Sequence, residues 1–302
     1  MADARSVSGG KFSLVLDGVK CGILKSCQPG SYKVEVVEIP VAAGMLPKKT
    51  IGTPTLEPFE ATMGIHSAGK PLQAWIKDTL DMKHSRRSGE LQRGDYDGNI
   101  KSRIEFKEAL FTELGLPACD GSSKDPGIIT IKWLPEISRT LSGSGKLEDQ
   151  EVAAGQKQWI QSNFRLTVDG MNEGCKRVSK VDAITFKQET TRDSVGHLRE
   201  YDLLATKSSV SDGSATFSEV DAADWLKWYQ DFIIDGKTAE DVGEKTGSLE
   251  YLTPDLKKTS LTVTFKNMGL LSLSVPKDEK GDAKARSLTA KWYMETIELA
   301  FA

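Results

Sequence analysis

The chain has 302 residues, which is enough for two domains of ordinary size that each bury a core. Hydrophobic residues make up 38% and charged residues 27%, which excludes a disordered or a membrane-spanning class. The formal net charge of -3 gives no electrostatic reason to expect sequence-specific binding of nucleic acid, although it suits a surface that nucleic acid passes without sticking.

The first residues, Met1 to Ser6, lack the apolar core of a signal peptide. No apolar run in the chain reaches the length that a bilayer crossing needs. We therefore expect no membrane anchor. We expect synthesis and folding in a cytoplasm, with any exit by lysis or by a dedicated route.

The first part of the chain alternates apolar and polar residues around turn signals. Phe12, Leu14 and Leu16 face one way, and Asp17-Gly18 is typical of a hairpin turn. A second turn is expected at Gln28-Pro29-Gly30. This pattern predicts strands over residues 12–16, 22–27, 32–37 and 60–65 and a long loop or irregular edge over 42–58.

Two amphipathic helices are predicted, one in each half of the chain. In the first, Pro71 suits the first turn. In the second, Asp221 is expected as the N-cap, and Asp224 favours the positive helix end. Aromatic residues at helical spacing are far more often core than a cofactor site. The predicted buried faces consist of Leu72, Trp75, Ile76 and Leu80, and of Trp225, Trp228, Tyr229 and Phe232.

Each helix is followed by a polar segment and then by strands. A strand ends at Pro117 or Pro276, and after a variable hairpin loop another passes through Trp133 or Trp292. The spacing from proline to tryptophan is 16 residues in both halves. The polar segments, residues 83–99 and 235–258, are predicted to be loops.

The same features occur twice in the same order. Phe12 to Gly18 returns as Phe164 to Gly170, and Leu72 to Asp78 returns as Trp225 to Asp231. This predicts one domain duplicated and fused. We predict a mainly β protein of two tandem domains, each a small β-sandwich or open barrel with one packed helix. The predicted domains are residues 1–137 and 159–302, joined by a linker over 138–158.

Two glycine-containing segments resemble ligand motifs but fail as such. Ser142 to Lys146 is not a phosphate-binding loop, because Thr140 and Leu147 stand where a glycine and a Ser or Thr are needed. Asp95 to Asn99 is not an EF-hand, because the glycine comes too early and Phe106 replaces the closing glutamate. We expect a flexible tether and a polar turn, respectively.

Other candidate reactive groups are scattered. His66, His84 and His197 have no partner at zinc spacing, and Glu57 and Glu60 are expected to be solvated. We predict no catalytic, cofactor-binding or metal-binding residue. Packing and turn residues repeat while reactive groups do not, which favours assembly over catalysis. A local basic patch, expected to be a solvated loop with a phosphate or partner contact as the alternative, consists of Lys83, Arg86, Arg87 and Arg93.

The four cysteines do not recur between the halves, so they are not a duplicated disulfide framework. In a reducing compartment we expect free thiols. Disulfides between chains, formed after release from the cell, are the alternative. The residues are Cys21, Cys27, Cys119 and Cys175.

Several of these motifs occur together, in this order, in a known family. Each half opens with Phe-x-Leu-x-Val/Leu-Asp-Gly, continues through Gly22 or Gly174 and the Trp-centred helix, and closes with Lys-Trp. In the first half, Thr50 to Glu57 and Leu116 to Gly127 extend the similarity. Over nearly the whole chain outside the linker, both halves resemble the bacteriophage tail tube family. Contractile-tail phages and contractile injection systems share this family, and the type VI secretion tube is a more distant member.

The resemblance implies a β-sandwich-like domain whose sheets close with neighbours into a sixfold ring. Such rings stack into a hollow tube that conducts DNA or effectors, and the family has no catalytic residues to carry over. It also implies tail sheath, tape-measure and baseplate partners, DNA passing without sequence-specific binding, and a location in a virion tail or an extracellular injection particle assembled in the bacterial host cytoplasm. Loops such as 83–99 would order against the next ring.

The departure from the family is the duplication, because the usual tube subunit is one domain. We favour a homotrimer that forms a pseudo-sixfold ring. The alternatives are a baseplate hub or tube initiator, and a hexamer of chains with one domain lining the channel. A rival of another class is a β-sandwich carbohydrate-binding module or enzyme, which needs a compact cluster of carboxylates or exposed aromatic side chains. Exposure of Trp75 and Trp228 in a cleft would favour it.

Overall fold

The chain folds into antiparallel sheets with one helix in each half. The computed structural model describes residues 10–42, 46–147, 159–194, 201–238, 243–275 and 286–301. The elements of the first half are β1 (Lys11–Leu16), β2 (Val19–Leu24), β3 (Ser26–Gln28), β4 (Tyr32–Lys33), β5 (Val36–Ile39), β6 (Lys48–Ile51), β7 (Thr55–Leu56), β8 (Phe59–Gly64), α1 (Lys70–Leu80), β9 (Arg87–Gly94), β10 (Ile100–Leu116), β11 (Cys119–Asp120), β12 (Ile128–Leu134) and β13 (Ile137–Ser142).

The second half follows with a similar succession. Its elements are β14 (Phe164–Val168), β15 (Val178–Val181), β16 (Ile184–Ser194), β17 (Tyr201–Val210), β18 (Gly213–Ser218), α2 (Ala223–Tyr229), β19 (Lys245–Leu252), β20 (Thr259–Ser274), β21 (Ser287–Tyr293) and β22 (Thr296–Phe301). The mainly β class predicted from the sequence is confirmed, with a nearly closed, barrel-like sheet. Neither helix has the length and apolar character that a membrane crossing needs, so the described residues contain no candidate span.

One long strand organises the first half. β10 runs through two sheets: β2-β1-β9-β10-β13, and β10-β12-β8-β3. It turns between them at Glu108, whose φ of 49° is in the left-handed region. A non-glycine residue there costs about 1 kcal/mol, which the ladders on both sides offset.

The second half has the same order of pairings around β20. Its sheets are β14-β19-β20-β22 and β20-β21-β18-β15, and Asn267, with φ 52°, lies at the turn in the long strand. The registers also correspond: Phe111 is opposite Trp133 in β10–β12, and Leu270 is opposite Trp292 in β20–β21. The first half has strand β2 beside β1, whereas turns follow β14 in the second half.

The helices bury the faces that the sequence predicted. Trp75 of α1 is buried, lies edge-on to Phe111 with ring centroids 5.4 Å apart, and donates from Nε1 to the carbonyl of Ser85 at 2.9 Å. Trp225 of α2 stacks on Phe217 at 4.9 Å. Each indole therefore fixes its helix against a sheet through both packing and a satisfied N–H.

Some predicted boundaries are wrong. The N-cap of α2 is Ala222, and Asp221 lies in the one-turn helix before it. Asp224 lies in the first turn of α2, as predicted, and also accepts from the N–H of Gly174 at 3.0 Å. The predicted loop 42–58 contains β6 and β7, which pair with β5 and β4, while residues 43–45 lie outside the described part.

The two predicted polar loops are also wrong, because each contains a central strand. β9 pairs with both β1 and β10, and β19 pairs with both β14 and β20. One face of β9 carries Glu90, which pairs with Arg103 at 3.7 Å. The other face carries the buried Leu91, but Gly89 precedes it and Arg93 follows it on that face, so the alternation that identifies a strand is weak.

The predicted linker 138–158 begins too early. Residues 138–142 belong to β13, which pairs with β10, and Leu147 is buried. Residues 148–158 lie outside the described part of the chain. The polar side chains of Ser138, Arg139 and Thr140 are typical of an edge strand with a solvent-facing side, which composition alone does not distinguish from a linker.

We expect Trp75→Ala to lower the free energy of unfolding by about 3–5 kcal/mol, because the change leaves a cavity under α1. The control is Lys70→Ala, at an exposed position of the same helix, with an expected effect within about 0.5 kcal/mol. The measurement is the urea midpoint followed by circular dichroism. Equal midpoints for the two variants would contradict the buried position of Trp75.

Candidate assembly surfaces

A hairpin of the second half extends a sheet of the first. β16 pairs with β17, and its first residues also pair antiparallel with the end of β10, with Leu114 opposite Phe186 and Glu113 opposite Lys187. The hydrogen-bonding edge of β10 is thereby covered. This is strand addition between the two halves, in which backbone bonds supply the attraction.

The far part of this hairpin packs on an apolar patch of the first half. Leu203 of β17 is 0% exposed and lies in a small buried cluster with Leu110 and Leu134. Next to it, the hydroxyl of Tyr201 accepts from the N–H of Leu56 at 3.2 Å. The contact therefore combines a buried leucine with a satisfied backbone group.

Polar groups of the first half surround the same contact. Arg86 and Glu136 form an ion pair. Both bind the backbone of Leu203: Glu136 accepts from the N–H of Leu203 at 2.8 Å, and Arg86 donates to the carbonyl of Leu203. Gln188 of β16 donates to the carbonyl of Phe111 at 3.1 Å. The hairpin is thus held by charge-assisted bonds as well as by burial.

The closing sheet of the second half forms a second contact with the first half. β22 faces α1 across a groove of about 450 Å³ lined by Leu80 and Leu299. His66 Nε2 lies 3.4 Å from the hydroxyl of Ser260. The short strand β11 also pairs with β15 of the second half. The two halves therefore meet at several places that involve different elements of each.

The corresponding hairpin of the first half, β4 to β7, adds to no sheet edge within the described residues; its contacts are single bonds, such as that from the N–H of Ser138 to the hydroxyl of Tyr32 at 3.1 Å and that from Arg192 to the carbonyl of Leu56 at 2.8 Å. In β4, β5 and β6 apolar side chains are exposed, with exposed fractions of 50% for Tyr32, 60% for Val36 and 51% for Ile51. Clusters of exposed apolar residues mark interaction surfaces more often than isolated ones do.

Two strand edges of the second half are open within the described part of the chain. β14 pairs only with β19, and a groove of about 390 Å³ runs along its other side between Phe164 and Val178. β20 pairs with β21 over Gly269–Ser274, and no described residue pairs with its opposite edge there. Unpaired edges of this kind attract further strands.

The residues weighed in the sequence analysis lie apart from one another. Asp95 accepts from the N–H of Asn99 at 2.8 Å within a polar turn, as predicted. The basic patch is divided among ion pairs: Lys83 with Asp78 and Asp81, Arg86 with Glu136, and Arg87 with Asp17 and Asp78. Lys33 pairs with Glu57, Lys132 lies 3.4 Å from Glu60, and His197 is outside the described residues.

The described residues form no candidate metal centre. Within the described ranges, no group of three or more His, Cys, Asp or Glu side chains could hold a metal ion. Trp75 and Trp228 are buried, so the exposure that would have favoured a binding module is not observed at these two residues. The β16–β17 hairpin was not predicted from the sequence; the available signal was the short apolar alternation of Ile184 and Phe186, which ends at the polar Gln188.

The four cysteines are free in the structure. Burial raises the pKa of the Cys21 thiol to about 11 and that of Cys175 to about 11. Burial also raises the pKa of Cys119, near the hydroxyl of Tyr251, and that of the half-buried Cys27. These thiols are therefore in their protonated, weakly nucleophilic form at neutral pH.

No protein-family model and no curated protein matches the chain. Solved structures match about half of it. A chain of the PVC sheath/tube terminator, from an extracellular contractile injection system, is 15% identical with a TM-score of 0.41, over 47% of this chain and 100% of that chain. A chain of the anti-feeding prophage baseplate is 10% identical with a TM-score of 0.38, over 46% of this chain and 92% of that chain.

Hcp1 from Flavobacterium johnsoniae is 11% identical with a TM-score of 0.27, over 46% of this chain and 95% of that chain. The resemblance to tail-tube proteins predicted from the sequence is confirmed for the fold of about half of the chain, and the duplication stays a prediction. All of these TM-scores lie below 0.5, so the matches add no argument about assembly or function.

We expect Leu203→Asp to release the β16–β17 hairpin from the first half, because it places a charge in a fully buried apolar site. Hydrogen exchange in residues 184–194 and 201–210 is expected to accelerate by at least about tenfold. The control, Leu204→Asp, changes the neighbouring residue on the opposite face, which is 46% exposed. Equal exchange in both variants would contradict the docking of Leu203.

We also expect slow reaction of the native thiols with a disulfide reagent. At pH 8 a thiol of pKa about 9 is roughly one tenth ionised, whereas one of pKa about 11 is roughly one thousandth ionised, so Cys21 and Cys175 should react about 100-fold more slowly than after unfolding. The rate should rise with pH up to about 11. Colorimetric titration with and without urea measures this, and equal rates would contradict it.

Proposed function

We propose that the chain is a structural subunit that self-assembles into rings, and that these rings stack as the inner tube of a contractile tail or injection particle. The observation that carries the proposal is the hairpin of the second half added to β10 of the first, while the corresponding hairpin and the corresponding edge of β20 are open in the described residues. Exposed apolar hairpins and open edges favour association with further chains.

The proposal includes a division into two domains, residues 10–147 and 159–301 in the described part, as two copies of one unit. The same strand order and the same register in both halves support it. Each unit has its own long bent strand, β10 or β20, and its own Trp-centred helix. A ring that contains six such units needs three chains, and we favour this trimer with pseudo-sixfold symmetry.

The proposed partners follow from the tail-tube resemblance. They are further copies of the chain, together with sheath, tape-measure and baseplate proteins, and DNA or effectors would pass through the lumen without sequence-specific contacts. The net charge of -3 is compatible with such passage. A location in a tail or injection particle, without a membrane anchor, belongs to the same proposal.

We propose no catalytic role and no cofactor. The buried tryptophans favour this over a carbohydrate-binding module, because such modules use exposed aromatic side chains. A baseplate hub or tube initiator is the second candidate. The asymmetry of the two halves favours it, since strand β2 is replaced by turns in the second half.

Purified protein is expected to form rings with a central hole, containing three chains and six similar lobes. Electron microscopy of end-on views, together with the mass in solution, measures this. Stacks of rings would favour the tube, and single rings that cap at one face would favour the initiator. Compact monomers at every concentration would contradict self-assembly.

A further inference from the structure

The two hairpins occupy corresponding places in the two halves. Tyr32 is opposite Leu56 in β4–β7, and Phe186 is opposite Val210 in β16–β17. The preceding strands also correspond, since β3 pairs with β8 as β15 pairs with β18. Tyr32 therefore corresponds to Phe186. We call the strands β4, β5, β6 and β7 the first hairpin, and β16 and β17 the second hairpin.

The receiving edges correspond in the same way. Leu114 is opposite Ile131 in β10–β12, and Leu273 is opposite Ala290 in β20–β21. On its other side, Leu114 is opposite Phe186 of the second hairpin. Leu273 has no strand partner on that side in the described part of the chain.

We propose that the first hairpin of one copy adds to this open edge of β20 in a second copy, with Tyr32 opposite Leu273 and Lys33 opposite Ser272. This inference rests on the proposed self-assembly and names the surfaces that carry it. The contact repeats, between chains, the pairing that joins the two halves within one chain. The occupant of the edge is a second copy of this chain, because the chain itself supplies a hairpin of the required place and register.

The apolar face of the first hairpin fits this role. Strand alternation places Tyr32, Val34 and Val36 on the face that corresponds to Phe186 and Gln188, which the second hairpin buries. All three are exposed, and so is Ile51 across the ladder from Val36. Burial in the proposed contact would remove this apolar surface from water.

Charges at the tip of the contact are also complementary. Val36 is opposite Ile51 as Thr190 is opposite Ala205, so Ile51 corresponds to Ala205. Two residues earlier in each strand, Lys49 therefore corresponds to Leu203. Leu203 lies between Arg86 and Glu136 in the contact within the chain. Both charged residues have counterparts in the second half that are acidic.

These counterparts are Glu295 and Glu244. Glu244 corresponds to Arg86 because the next residue, Lys245, is opposite Met268 as Arg87 is opposite Ala109. The N–H of Glu295 donates to the carbonyl of Lys266 at 3.2 Å, as that of Glu136 donates to Lys107 at 3.1 Å. Glu244 accepts from the hydroxyl of Tyr293 at 2.6 Å through Oε1, while its buried Oε2 has no hydrogen-bond partner in the described structure. Lys49 of a second copy, which pairs with the exposed Glu38 of its own hairpin at 3.2 Å, would supply the missing donor.

The helix ends carry a third correspondence. In the first half, Leu80 at the end of α1 lines the groove that faces β22. By the repeated sequence, Ile233 takes the place of Leu80, and Ile233 and Ile234 are exposed beyond α2. The strand that corresponds to β22 is β13, where Leu141 is exposed. The same docking would bring β13 of one copy to the helix end of the other.

This contact joins different surfaces of the two chains. The first half of one copy provides the hairpin, and the second half of the next provides the edge. Such heterologous contacts either close into a ring or continue as a filament. The proposal thus specifies the direction in which copies follow one another around the ring.

A cysteine pair tests the register. In Tyr32→Cys/Leu273→Cys protein, mild oxidation of assembled rings is expected to link different chains, because directly opposed residues of an antiparallel pair have Cα atoms about 4.5–5.5 Å apart, which a disulfide can span. The control is Tyr32→Cys/Leu256→Cys, since Leu256 is exposed beyond the opposite end of β20. The wild type, with four free cysteines, gives the background.

The outcomes separate this inference from the proposed function. Linked chains in the first variant and not in the control support the inference. Rings that form normally but do not link overturn the inference and leave self-assembly standing. Absence of both rings and links overturns both. Crosslinked products that contain no more than three chains would also support a closed trimer.

A charge reversal provides a second test. Lys49→Glu is expected to raise the concentration at which half of the chains assemble by at least about tenfold, because it places like charges together, and Glu244→Lys is expected to restore assembly of that variant. The matched control is Lys48→Glu, which makes the same change on the opposite face of β6. Equal effects of the two single variants, measured by sedimentation, would overturn the inference.

Discussion

Each half is organised by a long bent strand whose free hydrogen-bonding edge needs a partner. β10 and β20 each pass from one sheet into another, and where the second sheet begins, one side of the strand needs a new partner. In the first half, the β16–β17 hairpin satisfies β10 and brings the two halves into contact. The position of the edge thus determines how the halves meet, and the side chains adapt to it.

Much of the architecture follows from the amino-acid sequence. The helix faces were predictable because tryptophans at helical spacing, such as Trp75 and Trp225, bury their rings and also need a partner for the indole N–H. The hairpin at Asp17-Gly18 was predictable because Asp-Gly tolerates the positive φ values that a tight hairpin turn requires. Both residues adopt positive φ in the structure. The matched spacing of Pro117 and Trp133 with Pro276 and Trp292 reflects equal registers in β10–β12 and β20–β21.

The assembly surfaces were harder to predict. β9 has charged residues on both faces and also contains Gly89, so its composition is that of a loop although it pairs on both sides. The docking of Leu203 on Leu110 and Leu134 joins residues that are distant in sequence, and no local pattern reports such a contact. Strand addition depends on backbone groups, which are the same for every residue and leave only a weak trace in side-chain choice.

The covalent connection between the halves has an energetic consequence. Because the β16–β17 hairpin is tethered to the strand that receives it, this docking occurs at the high effective concentration of an intramolecular reaction, commonly in the millimolar range for short tethers. It carries no loss of translational freedom between separate molecules. In the proposed ring, every second junction would therefore already exist in the folded chain. Only the remaining junctions would respond to dilution.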